Sequence, residues 1–151
     1  MSYWLMKSEP EEVSIDDALA LPAIAWFGVR NYQARNFMRD AMRIGDGVLF
    51  YHSSCAEPGI AGIAEVSSLA YPDETQFDAS GKYFDPKSSR ENPRWMLVDV
   101  KALRKTRLLG LSELRSCAEL EQMLVLKKGN RLSITPVTTE EWGAVMSLIE
   151  K

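Results

Sequence analysis

Hydrophobic positions follow two different periods along the chain, and the switches between them mark the elements. Tyr3–Met6, Asp46–His52 and Ile60–Val66 are short, mostly apolar runs that read as strands, the last two buried. Arg94–Leu103 alternates instead. Met96, Val98, Val100 and Ala102 fall on one side and Trp95, Asp99 and Lys101 on the other, which predicts a strand with one buried face. Arg131–Thr135 reads as a further short strand. Asn31–Met42 has the helical period: Ala34, Phe37, Met38, Ala41 and Met42 recur at three- and four-residue steps, and Gly45 is the stop signal. Ser14 caps a short helix with Asp17 in its first turn, and Pro22 ends it. Ser112 opens a helix to about Met123. Thr138-Thr139-Glu140-Glu141 is a capping box, and the helix behind it carries Trp142, Val145, Met146 and Ile149 on one stripe.

Between Tyr71 and Pro93 lies a polar stretch of 23 residues punctuated by Pro and Gly. Structureless loops above about 12–15 residues are uncommon in compact domains. Phe77, Tyr83 and Phe84 would anchor this one, so it is expected to be an ordered flap. There are no repeats and no internal boundary. The prediction is a single α+β domain over residues 1–151, with about five or six strands in a small curled sheet or barrel and peripheral helices.

Composition narrows the function classes. Hydrophobic residues at 46% and charged residues at 26% exclude disorder and fibrous architectures. No apolar run approaches the roughly 20 residues of a membrane span, and the first residues do not read as a secretory signal. Cys55 and Cys117 lie 62 residues apart without a CxxC pattern, which fits a reducing, cytoplasmic setting. With His52 as the sole histidine, metal sites that need two imidazoles are excluded. The net charge of −3 conceals local excesses. Glu9–Asp17 has five acids and no base, Phe27–Arg43 has four arginines against Asp40, and Lys82–Arg107 has eight bases against three acids. The basic segments could offer a positive face to an anionic ligand.

Three segments carry candidate chemistry. In Trp26–Phe37, Asn31 is a natural N-cap, Gly28 lets the backbone approach a ligand, and Trp26 is a flat aromatic surface beside a loop. Arg35, Arg39 and Arg43 follow at four-residue steps. A helical stripe that repels itself this way needs either the Glu9–Asp17 acids or an anionic partner. Tyr51–Cys55 with Pro58-Gly59 forms a small polar rim after a strand, where Ser53 can donate and accept. His52 neighbours Ser53 but points to the opposite strand face, so it reads as structural rather than as a general base. Lys7-Ser8-Glu9 leaves a strand as a solvated end or as a proton-transfer pair.

Taken in order, the blocks Trp4–Pro10, Trp26–Phe37, Phe50–Ser53 with Pro58–Gly62, Tyr71–Asp73, Gln76–Asp78, Pro93–Trp95 and Arg131–Ser133 resemble the EVE domain, over residues 3 to about 148. The resemblance implies a PUA-like β-barrel similar to YTH and ASCH domains. It also implies a non-enzymatic, cofactor-free reader that holds a modified base of DNA or RNA in an aromatic-lined pocket. Carried onto this chain, the pocket role falls on Trp26, Val29, Asn31, Tyr32, Ser53 and Pro58, and phosphate or polar contacts fall on Lys7, Arg30 and Arg35. The alternatives are a small ASCH-like hydrolase of modified bases or nucleosides using Lys7, Glu9 and Ser8, and a protein-interaction domain whose arginine stripe meets an acidic partner.

Overall fold

The computed structural model spans residues 1–151. β1 (Tyr3–Ser8) lies parallel to β3 (Gly47–His52), and the crossover between them contains α1 (Ile15–Leu19), β2 (Ile24–Ala25) and α2 (Tyr32–Asn36). β4 (Gly59–Val66) returns antiparallel to β3. β5 (Tyr71–Pro72) and β6 (Met96–Leu97) form a separate ribbon, and β7 (Asp99–Gly110) runs back along β4. α3 (Leu111–Arg115), β8 (Ile134–Val137) and α4 (Thr139–Ile149) complete the chain. The six-stranded sheet has the order β2-β7-β4-β3-β1-β8 and curls into a half-barrel with β2 and β8 as its edges. Register shifts between β4 and β7 bend the sheet where it curls.

At β1 and β3 the sheet is covered on both faces, which explains their unbroken apolar runs. Trp4, Met6, Val48 and Phe50 join one core with Ile15, Met38 and Ile134. Leu5, Leu49 and Tyr51 join a second core with Leu109, Leu114, Leu120 and Val145. Successive strand residues therefore enter opposite cores, and neither face is left for solvent. α1 packs so closely that a Cβ on Gly62 would sit 2.4 Å from Ile15 Cδ1. Both capping boxes form: Ser14 Oγ and Thr138 Oγ1 accept from Asp17 N and Glu141 N at 3.1 and 3.0 Å. No helix is long and apolar enough to cross a membrane.

Four elements depart from the expected bounds. The helix from Asn31 has one α segment and then a π-turn over Phe37–Ala41, closed by Met42 N–H on Phe37 O at 2.8 Å. The π-turn breaks the four-residue arginine stripe. Arg39 pairs with its neighbour Asp40 instead, and the acids of 9–17 pair elsewhere, Glu12 with Lys82 and Asp16 with Lys105. The alternating strand begins at Asp99, because Met96–Leu97 pairs with β5, and it extends through a charged run to Gly110. Trp95 is buried under the flap, its indole N–H donating to Asp85 Oδ2 at 2.7 Å. The helix expected to reach Met123 stops at Arg115, because Cys117 is extended (φ −92, ψ 115), although Leu120 and Met123 still enter the second core. The last strand sits further along, at Ile134–Val137, in register with Met6–Tyr3.

The flap is ordered, and polar contacts anchor it alongside the half-buried Phe77 and Tyr83. Gln76 is buried, with Nε2 donating to Asp73 O and Trp95 O and Oε1 accepting from Arg94 N and Trp95 N. Phe84, expected as an anchor, is 40% exposed.

Candidate functional site

A cavity of about 350 Å3 opens at the carboxyl ends of the parallel pair β1 and β3. Backbone hydrogen bonds assemble its wall from distant segments. Ser53 N–H donates to Ser8 O at 3.0 Å, Lys7 N–H to Ser133 O at 2.8 Å, and Trp26 N–H to Val98 O at 3.0 Å. The flap closes one side by seating Tyr83 against Gly28. Gly28 has φ +83, donates its N–H to Asp73 Oδ2 at 2.8 Å, and leaves no room for a side chain: a Cβ would meet Tyr83 Cζ at 2.7 Å.

The wall combines apolar surface with polar groups that have no protein partner. Three tryptophans are buried. Trp4 Nε1 donates to Asp46 Oδ2 at 3.0 Å and Trp95 Nε1 to Asp85, while Trp26 Nε1 donates to no protein atom. That N–H is not sealed, because the one fully enclosed side-chain polar atom without a partner is Ser67 Oγ. Trp26 lines the cavity, and its N–H keeps some exposure without a protein partner. The ring is 6% exposed and meets Phe50 at 5.4 Å and 80°, which leaves little of it open for stacking. This corrects the expectation of a Trp26 stacking surface. The open aromatic surface is Phe27, 37% exposed and edge-on to Tyr83 at 5.7 Å. Ser53 and Lys7 also line the cavity, their Oγ and Nζ make no hydrogen bond or ion pair, and burial pushes the Lys7 ammonium below its ordinary value. Glu12, on the same wall, is held by Lys82 and by the Tyr83 hydroxyl, and the Lys82 contact draws its carboxyl below the usual range.

Five of the nine residues expected at the site line this cavity: Lys7, Trp26, Val29, Arg30 and Ser53. Four do not. Asn31 spends its side chain capping Ala34 N–H at 3.0 Å. Tyr32, 50% exposed, stacks on Trp95 at 4.7 Å and 17° with the Arg35 guanidinium 4.7 Å above it. Arg35 donates to Arg94 O and Asn36 Oδ1. Pro58 leads into the end of β4 that pairs with Gly110. Arg30 borders the cavity but is committed: its guanidinium donates to Val29 O, Asp73, Thr75 Oγ1 and twice to Tyr83 O, so it clamps the flap. His52 is structural, with Nε2 accepting from Ile15 N–H at 3.1 Å, and burial lowers its pKa. Phe27, Glu12, Tyr83, Arg131 and Ser133 were missed. Phe27 adjoins Trp26, and Arg131 and Ser133 lie in a recognised block, but local sequence gave no sign that they face one cavity.

The EVE domain family model matches residues 2–148. Human thymocyte nuclear protein 1 is 46% identical over 169 residues, covering 99% of this chain and 75% of that protein. A crystal structure of a Pseudomonas syringae protein superposes with a TM-score of 0.93 at 49% identity, covering 97% of this chain and 98% of that one. The crystal structure of human THYN1 in complex with DNA containing 5-methylcytosine superposes with a TM-score of 0.93 at 46% identity, covering 100% of this chain and 99% of that one.

Proposed function

This chain belongs to the EVE domain family, and from that premise we propose that it is a non-enzymatic module that takes a modified base out of a DNA strand and holds it in the cavity beside Trp26, with 5-methylcytosine as the base. The observation that carries the reading is the wall itself: an indole N–H, a serine hydroxyl and a lysine ammonium, all without protein partners, set among apolar and aromatic side chains. The volume lies at the small end of the range of about 300–1,000 Å3 for ligand sites. A base lifted from the stack needs hydrogen bonds on its edge and apolar contact on its faces. Trp26 supplies a donor suited to the pyrimidine carbonyl, Ser53 both donates and accepts, and Phe27 and Tyr83 supply ring surface. Val13, Ile24 and Val29 offer apolar contact to a base methyl.

The energetics describe a modest reader. Burial of one methyl contributes about 0.8 kcal/mol, roughly a four-fold preference over the unmodified base. Calorimetry with 5-methyl-2′-deoxycytidine and 2′-deoxycytidine tests this directly. Trp26→Phe keeps a ring and removes the N–H, so affinity is expected to fall by roughly five-fold, the net worth of one hydrogen bond of about 1 kcal/mol. Unchanged affinity in that variant would refute the role given to Trp26.

A hydrolase reading has one observation in its favour: Lys7, Ser8 and Glu9 all border the cavity. Against it, Ser8 Oγ donates to Val13 O at 2.6 Å, and Lys7 and Glu9 form no ion pair. Product release from acylated or alkylated nucleosides with protein in large excess would overturn the binding-module reading.

A further inference from the structure

We propose that Lys7 and Arg131 form a phosphodiester subsite at the mouth of the cavity and take the phosphate next to the extruded nucleotide; this rests on the base-binding reading and adds to it a residue that the sequence did not single out. The support is an account of which cations are free. Three basic side chains border the cavity: Lys7, Arg30 and Arg131. The five N–H donors of Arg30 are matched by five acceptor contacts within the protein. Nearby, Lys82 is paired with Glu12, and Arg35 is engaged with Arg94 O and Asn36. Lys7 Nζ and the Arg131 guanidinium make neither a hydrogen bond nor an ion pair.

The fold brings these two together. β1 and β8 are antiparallel with Met6 opposite Ile134, and the Lys7 N–H to Ser133 O bond extends that register one step past the strand. Arg131 precedes Ser133 by two residues on the same wall, and the Ser133 hydroxyl, also without a partner, lines the space as well. Lys7 is half-buried and Arg131 exposed, so the pair runs from inside the wall to its rim. That is the direction a nucleotide takes with its base inserted and its backbone left at the surface. Arg131 supplies the planar fork that matches phosphate oxygens, and Lys7 a compact charge. Glu9 is the uncommitted carboxylate on the same wall, whereas Glu12 is held by Lys82 and Tyr83.

The test compares 5-methyl-2′-deoxycytidine, its 3′- and 5′-monophosphates, and a duplex carrying 5-methylcytosine, by calorimetry on the wild type, Arg131→Gln and Arg131→Lys. In the wild type, one monophosphate is expected to bind roughly ten-fold tighter than the nucleoside. In Arg131→Gln that advantage disappears, nucleoside affinity is unchanged, and the salt slope for the duplex falls by about one; Arg131→Lys restores part of both. Glu9→Gln is expected to tighten monophosphate binding. Nucleoside binding with a monophosphate advantage and salt slope indifferent to Arg131 overturns the subsite and leaves the base reading intact. Duplex binding that depends on Arg131, with no nucleoside binding, supports the subsite and overturns the base reading. Absence of all binding overturns both.

Discussion

Trp26 and His52 are the two residues at which local sequence and tertiary packing contribute differently. The sequence marks Trp26 as an aromatic beside a loop, but whether it presents a face or an edge depends on Phe50, which lies on a strand far along the chain. Because Trp26 belongs to the first core, Trp26→Ala is expected to lose about 3–5 kcal/mol of stability by denaturant unfolding. Lost binding in that variant would therefore report on the fold, whereas Trp26→Phe reports on the hydrogen bond. The structural role of His52 was readable from strand alternation, and its consequence is pH dependence. Nε2 accepts from Ile15 N–H, so the folded protein needs the neutral ring, and burial lowers its pKa from the ordinary 6.5. The unfolded chain takes up the proton first. Stability from this contact is thus present above pH 6.5 and is lost as pH falls below it. Urea unfolding is expected to weaken between pH about 7.5 and about 5.5, with the change reduced in His52→Gln; an identical pH slope in both proteins would rule this out.

Among the elements, those defined by short-range signals were legible: the Ser14 cap, the Thr138 capping box, the buried strands, and the presence of an ordered flap. Elements whose limits depend on distant partners were not. β7 runs on through Arg104–Arg107 because β4 pairs with it, and α2 yields to a π-turn that no periodicity marks. The flap is held by Arg30 on Asp73 and on the Tyr83 carbonyl, together with the Tyr83 ring seated against Gly28. Arg30→Lys cannot reproduce the guanidinium fork. It is expected to speed hydrogen exchange and proteolysis across residues 73–93 while leaving the salt slope of DNA binding unchanged; a reduced slope would return Arg30 to phosphate binding. Gly28→Ala places a Cβ against Tyr83 in a left-handed backbone and is expected to cost about 1–2 kcal/mol in thermal unfolding and to weaken base binding.

At the scale of the whole molecule, the curled sheet with a core on each face fixes β1 and β3 side by side, and their carboxyl ends supply the floor of the cavity. The fold class was legible because many ordered blocks carry it. The cavity was only half legible, because its wall joins residues as far apart as Lys7, Tyr83 and Arg131. A chain of net charge −3 with few uncommitted cations at the site should bind DNA with a shallow salt dependence. Two phosphate contacts correspond to a slope of about −2 in log affinity against log salt, and fluorescence anisotropy over a salt series measures it. A slope several-fold steeper would mean that a wider basic surface carries the binding. The unpartnered N–H of the Trp26 indole is the donor a bound base would meet. In a 1H–15N spectrum titrated with 5-methyl-2′-deoxycytidine, the Trp26 indole N–H resonance is expected to shift saturably while those of Trp4 and Trp95, already bonded to Asp46 and Asp85, stay in place. A Trp26 resonance that remains still while the nucleoside binds would contradict the account.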